Sequence, residues 1–179
     1  MSFKLPFYQL NRYDIILRLV DIDDADFVLS LRSNPKLNRY ISATSNALAD
    51  QIEWIRNYKE REKAGVEYYF ITTGPRGERW GTTRITDIQS DSFELGSWVF
   101  TKEASPGASV KAEILTKEIG FDEMGLEYCT FNVRKDNTKV LKYHSRFNPK
   151  LVREDEKNFY FQLKKEDFYL NKQKLINLI

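Results

Sequence analysis

Two side chains have the type and setting for proton transfer, His144 and Glu94. His144 lies in residues 137–147, where Val140, Tyr143 or His144, and Phe147 recur at helical spacing and form the inward face. An imidazole with an ordinary pKa of about 6.5 takes or gives a proton near neutral pH. The plainer alternative is a half-buried histidine satisfied by a backbone carbonyl. Glu94 sits in Phe93-Glu94-Leu95-Gly96-Ser97-Trp98. A carboxylate between apolar strand neighbours becomes a base if it faces a cleft and burial raises its pKa. Strand alternation would otherwise turn it to solvent. A third feature is Ser105-Pro106-Gly107-Ala108-Ser109-Val110 at the predicted start of a helix. Bare N–H groups and the helix dipole favour an anion there, and the small side chains of Gly107, Ala108 and Ser109 let a pyrophosphate approach the main chain. Lys111 adds charge in the first turn. The simpler reading is an ordinary helix start capped by Ser105. Cys129, in a predicted central strand, reads as a small buried hydrophobe and not as a nucleophile.

The elements that must hold these groups follow from hydrophobic spacing. Ile15, Ile16, Leu17, Leu19 and Val20 predict a short strand. Asp23 or Asp24 suits a helix N-cap, with Ala25, Phe27, Val28 and Leu31 following until Asn34-Pro35 stops the helix. Ser45 or Asn46 suits the cap of a second helix. Leu48, Ile52, Ile55 and Tyr58 form its apolar face, Trp54 lies beside them, and it ends near Gly65. Residues 68–73 and 79–88 read as strands joined by the turn Gly74-Pro75-Arg76-Gly77, and residues 93–100 as the next strand after Ser90-Asp91. A loop over 101–107 precedes a helix with Val110, Ile114, Leu115, Ile119 and Phe121 apolar, closed by Gly125. A strand at 127–133, a helix at 137–147, strands at 150–153 and 158–163, and a helical or frayed tail at 168–179 complete the order β-α-α-β-β-β-α-β-α-β-β. Three consecutive antiparallel strands followed by β-α-β-α-β predict an α+β fold, a mixed, largely antiparallel central sheet with helices on both faces. The strict βα alternation of a Rossmann-like chain is missing, as are GxGxxG and GxxxxGK[ST] motifs.

Composition narrows the function classes. The 179 residues suit one domain, with a core at about 13–164 and a tail at 165–179. Lys plus Arg is 28 against 26 Asp plus Glu, and no basic run stands out, which argues against a nucleic-acid partner. One cysteine excludes an internal disulfide and a thiolate metal site, and one histidine excludes a His-rich zinc site. The first ten residues lack a basic region followed by an apolar one, and no stretch approaches about 18 unbroken apolar residues. The expectation is a reducing, cytoplasmic setting, no membrane partner, no metal, and a monomer or homodimer.

Three segments, in this order, resemble the GNAT N-acetyltransferase superfamily, over about residues 15–163. Glu94-Leu95-Gly96-Ser97-Trp98-Val99 is similar to the E-[IL]-G-[YS]-W-[IV] strand of the branch that includes the ribosomal-protein N-terminal acetyltransferases. Ala104-Ser105-Pro106-Gly107-Ala108-Ser109 sits where the family carries its [QR]-x-x-G-x-[GA] loop. Residues 137–148, NTKVLKYHSRFN, resemble N-x-x-A-[IV]-x-[FL]-[YH]-E-[KR]-x-G, the most specific of the three. There are departures. Ala104 replaces a Gln or Arg, Ser109 a Gly or Ala, and Asn148 a Gly whose turn Asn tolerates. His144 stands where many members carry a tyrosine acid, and Asn132 where some carry an acidic residue.

The resemblance implies acetyl-CoA as co-substrate, held in a splay between the strand ending at Phe100 and the strand at 127–133. Pantetheine would pair with the main chain of Val99, Phe100 and Thr101, and pyrophosphate would rest on the amides of Gly107, Ala108, Ser109 and Val110. Asn137, Lys139 and Tyr143 would line the other side. Glu94 is the implied base and His144 the implied acid for transfer to a primary amine. The stretches Leu31-Arg32-Ser33-Asn34-Pro35, Ile41-Ser42, Gln51-Ile52-Glu53-Trp54-Ile55 and Glu67-Tyr68-Tyr69-Phe70 resemble enzymes acting on nucleotide-linked 4-amino sugars. Arg32 and Arg39 would then meet a nucleotide diphosphate. A protein N-terminus as acceptor, or a non-catalytic acetyl-CoA-binding module, are the alternatives.

Overall fold

The structure is a computed structural model that describes residues 3–41, 45–177 and 179. Along the chain run β1 (Gln9–Arg12), β2 (Ile15–Leu19), α1 (Ala25–Ser33), α2 (Leu48–Lys63), β3 (Tyr68–Thr73), β4 (Arg79–Thr86) and β5 (Ser92–Phe100). They are followed by α3 (Ala108–Glu118), β6 (Tyr128–Arg134), α4 (Thr138–His144), β7 (Lys150–Glu154), β8 (Asn158–Lys164) and α5 (Lys165–Ile176). The strands form one sheet in the order β1-β2-β3-β4-β5-β6-β8-β7. Among the described residues only β5 and β6 pair in parallel. The fold is α+β, as the pattern of elements predicts.

Each face of the sheet is covered by its own helices. Val28 and Leu31 of α1 and Ile55 and Tyr58 of α2 pack on Tyr69, Ile71 and Val99. On the opposite face Ala112 and Leu115 of α3 and Phe168 of α5 share a core with Phe93, Phe121, Phe131 and Phe147. α3 continues as a π-helical turn (Ile119–Glu123). Gly120 in that turn lets the ring of Phe93 press against the backbone, since a Cβ there would lie 2.2 Å from it. Beyond its first turn α3 is enclosed, and every residue from Ala112 to Glu118 is buried.

Several local expectations are corrected. β1 is additional. Tyr13 and Asp14, with φ of 59° and 60°, make a two-residue turn of the kind that joins right-twisted strands, without the usual Asn-Gly signal. Asp24 stands at the N-cap of α1 as expected but makes no side-chain cap bond there, because the chain first makes a 3-10 turn capped by Asp21, with Asp21 and Asp24 in a capping box. Asp24 then pairs with Arg18. Ala47 stands at the N-cap of α2. Ser45 instead accepts the Ala47 amide and bonds Asp50, and Ser42 lies outside the described residues. Gly107, with φ 79°, is the N-cap of α3, while Ser105 contributes only its carbonyl, to the Ala108 amide. The C-terminal segment is a docked helix, with Phe168 and Leu175 buried.

Candidate active site

The sheet opens where β5 leaves β6. Their pairing ends at Glu94 opposite Thr130, and beyond it β6 pairs only with β8. The cause lies in β5. Between Gly96 and Val99 it carries extra length opposite β4, Ser97 has φ 50°, and the Ser97 carbonyl accepts the Thr82 hydroxyl at 2.7 Å. A bulge of this kind bends its strand and raises its twist. The gap is the mouth of a cavity of about 510 Å³. Arg32 and Tyr40 reach it from the α1 side, and Glu113 and His144 from the α3 and α4 side. Side chains from both faces of a sheet meet in one space only where the sheet is open.

His144 is 6% exposed and lies against Phe131, ring centroids 4.1 Å apart. Trp98 closes over it at 6.0 Å, anchored by its indole N–H to the Ser109 carbonyl at 2.9 Å. Nδ1 of His144 is 3.9 Å from Glu113 Oε1. Burial, and then the charge of Lys117, hold His144 well below the ordinary imidazole range, so the ring is neutral at pH 7. A neutral ring donates from one nitrogen and accepts at the other, so the expected acid would need its N–H on the cavity side.

Glu94 lines the same cavity from the last paired position of β5. Burial first, and the charge of Asp87 second, raise its carboxyl above the ordinary range, with Arg84 opposing. That is the direction a base near neutral pH requires. Asn137 and Lys139 also border the cavity, Asn137 while capping α4 through the Val140 amide. Arg32 lies there, whereas Arg39 stands outside on the surface, over the Tyr40 ring and 3.4 Å from Asp136. Arg134, Tyr40 and Asn132 line the cavity as well. Arg134 and Tyr40 carried no sequence signal, and Glu113 was hidden in an apolar-looking helix.

Three expected contacts change. The Thr101 amide donates to the Trp80 carbonyl at 2.8 Å, and Val99 stands opposite Thr82. Bonded positions alternate in an antiparallel pair. Val99 and Thr101 therefore face β4, and Phe100, with Trp98 in the bulge, turns its main chain to the splay. Tyr143 does not border the cavity. Its hydroxyl donates to Glu113 Oε2 at 2.5 Å and its ring packs on Trp98 and Phe147. Cys129 is fully buried and its thiol is pushed up by burial, as a small apolar filler. Among the described residues no group of three or more His, Cys, Asp or Glu could hold a metal ion, and no helix is long and apolar enough to cross a membrane.

The GNAT acetyltransferase domain model matches residues 14–147. This chain belongs to the GNAT acetyltransferase family. A solved structure described as apo FdhC, a nucleotide-linked sugar GNAT, is 37% identical over 97% of both chains, with a TM-score of 0.81. A ribosomal-protein-S5-alanine acetyltransferase from Vibrio fischeri is 13% identical over 89% of this chain and 98% of its own, with a TM-score of 0.75. A spermidine N-acetyltransferase, SpeG, from Vibrio cholerae is 13% identical over 90% of this chain and 99% of its own, with a TM-score of 0.71. These last two share the fold. Comparison with curated protein sequences returns no match.

As a GNAT enzyme the chain is an N-acetyltransferase that uses acetyl-CoA, and its residues fit that co-substrate. The first α-helical bond of α3 runs from the Lys111 amide to the Gly107 carbonyl, so the Ser109 and Val110 amides precede the ladder and are available to a phosphate. Gly107 keeps the approach low, because a Cβ there would be strained at its positive φ and would sit 3.0 Å from Ile179. Trp98 and Phe100 would offer main chain to an extended pantetheine arm. Gly107→Glu is expected to weaken acetyl-CoA binding by more than about tenfold, read by calorimetric titration. Unchanged affinity in a folded variant would move the phosphate site elsewhere.

Proposed function

We propose that this GNAT enzyme acetylates the amino group of a sugar carried on a nucleotide. The observation that carries the reading is the composition of the splay cavity. Two proton-handling groups, Glu94 and His144, share one space with three cations, Arg32, Arg134 and Lys139. A diphosphate attracts such cations through charge-assisted hydrogen bonds. Tyr40, Leu37 and Ile41 add an apolar wall suited to a sugar or base ring. The likeness to FdhC, over 97% of both chains, supports the same acceptor class.

Acetyl-CoA supplies an activated acetyl thioester. The protein must hold the amine against it, take one proton from the nitrogen and supply one to the sulfur. Glu94 and His144 are the cavity groups able to do so. The test is release of free thiol from acetyl-CoA with a panel of amines: nucleotide-linked amino sugars, peptides with free N-termini, and spermidine. Turnover confined to the nucleotide sugars supports the reading. Turnover of peptides alone overturns it.

Arg134 provides a sharper check. It lines the cavity, and among the described residues its Nε has no aligned hydrogen bond, lying 3.7 Å from Asp136. Arg134→Ala is expected to raise KM for the nucleotide sugar about 10- to 100-fold, the worth of one hydrogen bond to a charged group. KM for acetyl-CoA should stay within about twofold. Equal effects on both substrates would argue for a general distortion.

A further inference from the structure

On the inner wall of the cavity, where Glu113 lines it, begins a buried ionic cluster that the proposed chemistry does not use. Glu113 and Lys117 stand one turn apart on α3, with side chains 2% and 0% exposed and Oε1 and Nζ 2.5 Å apart. The pair is close but out of line, and neither atom has an aligned hydrogen bond among the described residues. The other oxygen of Glu113 accepts the Tyr143 hydroxyl. The Lys117 ammonium lies among the rings of Phe131, Tyr143, Phe147 and Phe168 at 4.3–5.8 Å. Apolar residues often fill such a position at no greater cost, so stability alone does not account for the pair. The third buried polar atom beside it is Nδ1 of His144, 3.9 Å from Glu113 Oε1 and likewise without an aligned partner.

We propose that Glu113, held by Lys117 and Tyr143, is a positioning residue for His144 that keeps the ring proton on Nδ1 and leaves Nε2 as a bare acceptor toward the cavity. A carboxylate only accepts hydrogen bonds, whereas a neutral imidazole carries one donor and one acceptor nitrogen. A lone pair on Nδ1 facing Oε1 in a buried site is repulsive, and a proton there turns the contact attractive. Phe131 and Trp98 hold the ring plane, so it cannot rotate freely to exchange the two nitrogens. With Nδ1 given to Glu113, Nε2 is the nitrogen left to serve the cavity that His144 lines. When an amine becomes an amide it forms one N–C bond and gives up one N–H proton, which Nε2 takes with its lone pair. The same proton passes to the sulfur as its C–S bond breaks, and the ring returns to its starting state. His144 is thus an acceptor first and a donor second, which revises the expected order of its duties.

The use of Nε2 rests on the transferase reading, but the tautomer does not. Because the chain has one histidine, an imidazole nitrogen-15 correlation spectrum of the full protein reports this ring alone. The expected spectrum without substrates is a protonated Nδ1 and a bare Nε2. A protonated Nε2, or a mixture of tautomers, overturns the proposal whatever the acceptor proves to be. Glu113→Gln alone leaves Lys117 buried without its counter-charge, so it is paired with Lys117→Met. That double variant should lose the Nδ1–H preference. With an amine that the wild type acetylates, its kcat should fall at least tenfold and both KM values should stay within about threefold. In a His144→Gln background the same two changes should cost nothing further in kcat. An equal loss in that background would mean that Glu113 acts other than through His144.

Discussion

Replacing His144 by glutamine is expected to lower kcat by about 10²- to 10⁴-fold, the usual worth of a positioned proton-transfer group. Acetyl-CoA affinity should change by no more than a few fold. Glutamine approximates the ring's reach and keeps a donor, but it has no lone pair basic enough to take the amine proton. The affinity should survive because the main-chain groups that fit acetyl-CoA, in the β5 bulge and at the start of α3, lie on other elements and do not depend on the imidazole. The pH profile adds a signed check. Burial and Lys117 lower the His144 pKa, so the ring stays neutral until the pH falls well below about 6.5. An acid limb of kcat due to this group therefore lies below that value and vanishes in the variant. Stability follows the same sign. As pH drops below about 6.5 the unfolded chain gains a proton that the folded ring refuses, so wild-type stability falls there and that of the variant falls less. Glu113, Lys117 and Tyr143 are the ionisable groups facing the ring, and Glu94 shares its cavity. A variant with wild-type kcat would remove His144 from the chemistry.

The strand and helix order was legible because apolar spacing in β3, β5 and β6 follows the sheet, and in α1 and α2 follows one covered face. The site was less legible. No residue type announces that two parallel neighbours will part after Glu94 and Thr130, and the splay came only from resemblance to the GNAT strand and helix motifs. The bulge then changed which main-chain groups face the gap, because one extra residue near Ser97 shifts the alternation that a straight strand would keep. Glu113 and Lys117 were missed for a tertiary reason. The apolar positions Val110, Ile114, Leu115, Ile119 and Phe121 mark one side of α3, and charges elsewhere on a helix are ordinarily solvated. They are buried because α4, the turn after it and α5 close over α3, with Tyr143 and His144 against Glu113 and Phe147 and Phe168 against Lys117. The tail hides that role, since Phe168 and Leu175 are buried while Leu170 between them is 66% exposed, and no clean stripe emerges.

The same covering of α3 yields the largest expected effect on stability. Glu118, 2% exposed at the end of α3, accepts from Arg12 Nη1 at 2.5 Å, from the Tyr13 hydroxyl at 2.5 Å and from Lys172 Nζ at 2.7 Å. One carboxylate thereby ties the β1–β2 hairpin, α3 and α5 together. Glu118→Ala removes the shared acceptor and leaves Lys172, whose side chain is 18% exposed, poorly solvated. Breaking a buried pair from one side costs about 3–5 kcal/mol. Arg12 is 45% exposed and recovers water, so the expected loss is about 2–4 kcal/mol. For a chain of this length that is roughly 4–16 °C in Tm by thermal unfolding. Lys172→Met removes one donor of three and should cost about 1 kcal/mol or less. If Glu118→Ala melted within about a degree of wild type, the tie would be a neutral contact, and the enclosure of α3 would rest on Phe168 and Leu175 alone. If it melts as expected, the two terminal segments of the chain act together in closing the helix that carries Glu113 and Lys117.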